Sequence, residues 1–169
     1  MAKKSWMVGV LLRVHVRYKT LKVVLDELLR YQDFGINPVV MAMVDRPSPE
    51  VEALLATMPN WLVSRVRPPI PIVTNNGLAF RQAKIEHYRA LKQLGIPFDW
   101  VLLQDDDRWF EPLGIAEELP KALEQPVDLL YARSAFLWDD SEHVNVARYH
   151  VSPTLFRFDP DSDFPDDQD

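Results

Sequence analysis

Three consecutive aspartates close an apolar run, Trp100-Val101-Leu102-Leu103-Gln104-Asp105-Asp106-Asp107. Adjacent carboxylates crowded at one strand end repel one another unless a cation sits among them, so residue type and spacing point to a divalent metal. The chain has no cysteine, which excludes a disulfide, a thiol nucleophile and a thiolate zinc site. Oxygen donors then favour Mg²⁺ or Mn²⁺. The competing plain reading is a solvated turn with Asx caps ahead of Pro112.

The elements that must position these acids follow from hydrophobic periodicity. Trp6 to Val14 reads as a first strand, and Leu21, Val24, Leu25, Leu28 and Leu29 fall at helical spacing before a stop at Gly35. Pro38 to Val44 reads as a second strand ending in Asp45, and Ser48-Pro49 opens a short helix through about Met58. A third strand is expected at Ile70 to Val73, after which Asn75-Asn76-Gly77 leads into a helix ending near Gly95. Trp100 to Gln104 is the fourth strand, apolar enough to be covered on both faces. This alternation predicts an α/β fold with a mainly parallel, Rossmann-like sheet and helices on both faces. Beyond Pro112 we expect a short helix over Ile115 to Leu123. Strand pieces follow at Asp128 to Ala132, Phe136 to Trp138, Val144 to Tyr149 and Thr154 to Phe158, giving an antiparallel C-terminal third.

Ligands of open α/β sheets bind beyond the carboxyl ends of the strands. Arg13, His15 and Arg17 follow the first strand, Asp45 the second, Asn75 and Asn76 the third and the aspartates the fourth, with Arg81 one turn into the next helix. Opposite charges meeting on one rim suit a metal-chelated diphosphate, carboxylates holding the cation and arginine the phosphates. The plain alternatives are a turn for Asp45, a surface ion pair for Arg81, and core roles for Trp61, Trp100 and Trp138.

In this order the motifs resemble the nucleotide-binding half of the GT-A fold glycosyltransferases, nearest the inverting family-two enzymes. The likeness rests on Asp45, on Asn75-Asn76-Gly77 with Arg81, and on Asp105-Asp106-Asp107-Arg108-Trp109-Phe110-Glu111-Pro112 in place of that family's DxD segment. It implies Asp106 as metal ligand, Asp107 as auxiliary acid, and Asp105, Asp45, Arg81, Arg17 and Asn76 as nucleotide contacts. It further implies a UDP- or GDP-linked sugar as donor, a hydroxyl acceptor, and a catalytic base in Asp163-Phe164-Pro165-Asp166-Asp167, at Asp166 or Asp167. Three departures stand out: the family's Pro-x-x-Asn-Arg loop is replaced by Val14-His15-Val16-Arg17, Gln104 stands where many members place the first acid, and the sequence ends at Asp169. The alternatives are a nucleotidyltransferase of similar fold and a noncatalytic nucleotide-sugar-binding or interaction domain.

With 169 residues, 47% of them hydrophobic, the chain suffices for one domain. The resemblance implies a nucleotide-binding part over residues 1–112 and an acceptor-side part over 113–158, and residues 159–169 are an acidic tail that composition allows to be disordered. The net charge of -6 is matched by six aspartates from Asp159 onward, so the body before them is formally neutral and offers no basic field for nucleic acid. Lys3-Lys4 and the apolar stretch after them imitate a leader, but Arg13 interrupts it and no small-residue cleavage site follows. No segment approaches the roughly 20 apolar residues of a membrane span, and a cytoplasmic location is expected.

Overall fold

The computed structural model describes residues 4–14, 18–46, 48–59, 62–66, 77–106, 108–110, 117–139 and 144–164. The chain is a mixed α/β fold: β1 (Trp6–Val14), α1 (Tyr18–Tyr31), β2 (Ile36–Val44), α2 (Pro49–Ala56), β3 (Leu62–Val66), α3 (Gly77–Lys92), β4 (Trp100–Asp105), β5 (Arg108–Phe110), α4 (Leu119–Leu123), β6 (Leu129–Asp139) and β7 (Val144–Arg157). One seven-stranded sheet runs β3-β2-β1-β4-β7-β6-β5. Its first four strands are parallel, whereas β7 pairs antiparallel with β4 and with β6, and β6 with β5.

Strand alternation sorts the core into two layers. Val8, Val10, Leu12 and Val14 of β1 join Ile36 and Val40 of β2 and Trp100 and Leu102 of β4 on one face. That face is covered by Leu21, Val24, Leu25 and Leu28 of α1, Val51 and Leu55 of α2, and Leu119 and Leu123 of α4. On the other face Leu11, Met41, Val101 and Phe156 meet Tyr88 and Leu91 of α3. Gly9 explains how closely α3 can approach: a Cβ there would lie 2.7 Å from Leu91 Cδ2.

The helix ends follow local chemistry. Ser48 caps α2 by accepting the Val51 N–H at 3.2 Å, with Pro49 at the first turn. After α1 and a 3₁₀ turn at Gln32–Phe34, Gly35 takes φ 81° and its N–H donates to the Gln32 carbonyl.

Several elements differ from the sequence reading. The third parallel strand is Leu62–Val66, while Ile70 to Val73 lies outside the described residues. The expected pieces Asp128 to Ala132 and Phe136 to Trp138 are one strand, β6, and Val144 to Tyr149 and Thr154 to Phe158 are likewise one strand, β7. Register shifts at Leu130/Tyr131 and Phe136/Leu137 break their period, and Pro153 interrupts the N–H ladder, so each long strand reads locally as two short ones. The described part of the acidic segment is fastened to the body. Tyr88 Oη donates to the Asp159 carbonyl at 2.9 Å, Lys92 Nζ to the Ser162 carbonyl at 2.8 Å, and Phe164 stacks edge-on against Tyr88 and Phe156. Among the described residues no helix is long and apolar enough to cross a membrane.

Candidate functional site at the carboxyl rim

Because α1 leaves β1 on one face and α3 enters β4 on the other, the chain parts in opposite directions between these two strands. Such a switch point opens a crevice at the carboxyl ends. The backbone closes around the end of β1 from both sides: Asp45 N–H donates to the Val14 carbonyl and Asp106 N–H to the Arg13 carbonyl, both at 3.0 Å. Asp45 and Asp106 therefore flank β1, on strands about 10 Å apart at ordinary sheet spacing.

Arg13 and Asp105 are register partners and lie on the α3 face. Arg13 Nε and Nη2 both approach Asp105 Oδ1, at 2.6 Å and 2.5 Å. The Asp45 side chain is 6% exposed, with Arg46 Nε a distant 3.9 Å from its Oδ2. Asp106 is also buried, at 3%, which corrects the picture of a solvated aspartate turn at this position. Gln104, buried beside it, donates from its amide nitrogen to the Asp105 carbonyl at 2.8 Å. One layer below, His87 of α3 shares a 2.5 Å hydrogen bond between Nε2 and the Met41 carbonyl of β2. Burial, and secondarily the nearby Arg13 charge, pushes the His87 pKa down to about 4 against the opposing pull of that hydrogen bond, so the imidazole is neutral at pH 7.

Of the residues expected from sequence, the fold brings together Asp45, Asp105 and Asp106. Arg81 is exposed on α3. Arg17, Asn76, Asp107, Asp166 and Asp167 lie outside the described residues. Sequence reasoning placed Arg13 on the rim without a partner and gave Gln104 and His87 no positive role. For Arg13 a signal existed, since strand alternation puts it in phase with Leu11 on the α3 face.

No protein-family model and no curated protein matches the chain. Among solved structures, a formyltetrahydrofolate deformylase from Pseudomonas putida KT2440 matches with TM-score 0.36 and 12% identity over 90% of this chain. The chain spans 56% of the length of that structure. A likeness of that size transfers neither fold nor activity to this chain. The glycosyltransferase expectation, with its sugar donor, is corrected to the general α/β class: no family model and no curated protein supports glycosyl transfer, nor the nucleotidyltransferase and nucleotide-sugar-binding alternatives, and the structure named above is a deformylase. The metal-binding reading is corrected on separate grounds. Among the described residues no group of three or more His, Asp or Glu side chains could hold a metal ion. At the rim the Arg13 guanidinium stands against Asp105, and Asp107, the second expected ligand, lies outside the described residues.

Proposed function

We propose that this chain is a small-molecule-binding α/β protein whose site is the crevice between β1 and β4, walled by Arg13, Asp45, Asp105 and Asp106. The observation that carries the reading is the closure of Asp45 and Asp106 around the end of β1, with buried carboxylates where the strand order parts. Carboxylates accept hydrogen bonds and do not donate them. Among the described residues, Arg13 faces a carboxylate closely and Arg46 does so at 3.9 Å. The balance favours a neutral or cationic ligand presenting hydroxyl or amine donors over an anion. Enzymatic turnover belongs to the same proposal as a second step, since a carboxylate accepting from a ligand hydroxyl or ammonium is placed to take its proton. The described donors do not fit a resident metal, so Mg²⁺ and Mn²⁺ enter as ligands under test, with no step routed through them.

A thermal-shift panel tests this directly: small polyols and amines against their phosphorylated or carboxylated counterparts, each with and without Mg²⁺ or Mn²⁺. A ligand at 100 times its Kd raises native stability by about 2.7 kcal/mol, well within detection. Neutral or cationic members should bind without metal, and Asp45→Asn and Asp106→Asn should each abolish the shift. Metal-free binding confined to anions, or binding that survives both substitutions, sinks the reading.

A further inference from the structure

The peptide unit joining Asp105 to Asp106 is held at both ends. Its N–H, on Asp106, donates to the Arg13 carbonyl at 3.0 Å, and its C=O, on Asp105, accepts from the Gln104 side-chain amide at 2.8 Å. In a trans peptide these two groups point in opposite directions. The N–H is thus fixed toward β1 and the C=O toward the side from which β7 has withdrawn, since the last β4–β7 pair is Leu102 with Leu155. A carbonyl at such a strand end must find a donor in water or in protein. Gln104, only 4% exposed, brings one from within the fold.

We propose that Gln104 is the positioning residue of the rim: by clamping this peptide it aims Asp105 at Arg13 on the α3 face and turns Asp106 into the buried flank of the crevice. The proposal rests on the reading of the rim as a binding site, but its physical content can be measured without any ligand. With this donor removed, the Asp105–Asp106 unit loses one of its holds, and the Asp106 N–H is held less firmly on β1. A hydrogen bond of this kind contributes a net 0.5–1.5 kcal/mol in typical proteins, which corresponds to roughly 2- to 10-fold in a local opening equilibrium.

The experiment is amide hydrogen exchange by NMR on the full chain and two variants. Gln104→Met keeps the length and removes the donor. Gln104→Glu makes the donor depend on pH, because a protonated carboxyl can donate to the Asp105 carbonyl and a carboxylate cannot. In Gln104→Met the Asp106 amide should exchange about 2- to 10-fold faster while Val101 to Leu103 keep their protection. In Gln104→Glu, protection at Asp106, corrected for intrinsic exchange, should be present at low pH and lost as the introduced carboxyl ionises. Unchanged Asp106 protection in Gln104→Met overturns the clamp, as does a loss spread evenly over β4, which makes Gln104 a packing residue. Should Gln104→Met fail to fold, the pH dependence in Gln104→Glu still decides, and a flat profile there overturns the proposal. A failed ligand panel with a verified clamp removes the binding role of the rim alone. A working panel without the clamp removes Gln104 alone.

Discussion

Along β1 and β4 the chemistry reverses from one end to the other. At the amino ends Trp6 and Trp100 are buried on one face, while Phe156, Phe158 and Phe164 gather around Tyr88 on the other and Phe98 packs on Phe158, with ring centroids 5.4 to 6.2 Å apart. Asp99 completes the closure: its carboxylate accepts the Met7 N–H at 2.8 Å and its carbonyl accepts the Phe158 N–H. At the carboxyl ends the same strands finish in Arg13, Asp105 and Asp106, with Asp45 alongside. The amino end spends its residues on apolar burial and edge-on aromatic contacts, which stabilise without placing unneutralised charge. The carboxyl end instead carries three carboxylates, Asp105 facing Arg13 and Asp45 and Asp106 buried. It is the pattern expected when stability and ligand recognition occupy opposite rims of one sheet.

The contrast is sharpest at Trp100, fully buried at the start of β4. Trp100→Ala should cost about 3–5 kcal/mol in urea unfolding, the loss typical of a large aromatic removed from a core. It should leave any rim ligand's preference for donors unchanged. A loss under about 1 kcal/mol would place the stabilising core elsewhere.

His87 lies between the two regions, and pH probes it. Its folded pKa of about 4 is below the ordinary 6.5, so the unfolded chain takes up a proton first as pH falls. Its contribution is fully present above pH 6.5 and is lost as pH drops through about 4, amounting to about 3 kcal/mol. Urea midpoints between pH 7 and 4 should fall accordingly in the wild type and less steeply in His87→Gln. Equal slopes would assign the pH dependence to other groups.

A smaller effect is expected at the end of the described chain. Phe164 is half-buried in the aromatic cluster, and Phe164→Ala should cost about 1–2 kcal/mol, less than a fully buried Phe. Calorimetric melting checks it, and an unchanged Tm would mean that residues 159–164 contribute nothing to closing the amino end.

The smallest effect belongs to the rim. Asp106→Asn is isosteric, keeps one acceptor oxygen and removes the charge of a buried carboxylate, so stability should change by no more than about 1 kcal/mol. A loss above about 1.5 kcal/mol would make Asp106 a structural residue and dissolve the division between the two ends.

The part of the fold that is legible in the sequence is the part that is periodic over a few residues. The run Trp6 to Val14 is β1, and the leucine spacing after Thr20 is the buried stripe of α1, because side-chain direction repeats locally at 2 and 3.6 residues. Pro49 and Gly35 likewise mark helix ends through fixed φ and left-handed φ. Leu62–Val66 escaped because five residues carry too little alternation, and β6 and β7 looked broken where their pairing shifts register.

At the site, sequence alone determined that Asp45, Asp105 and Asp106 stand at the ends of strands, since each follows an apolar run. Only the tertiary structure decided what they face. Arg13 meets Asp105 across 92 residues of chain because β1 and β4 are neighbours in a particular register, and a shift of one residue would send the two side chains to opposite faces. Burial of Asp106, the clamp from Gln104 and the seat of His87 under the rim depend on the same packing. Periodicity is a property of neighbours in the chain; charge pairing and desolvation are properties of neighbours in space, and here those brought Arg13 to Asp105 and buried Asp106.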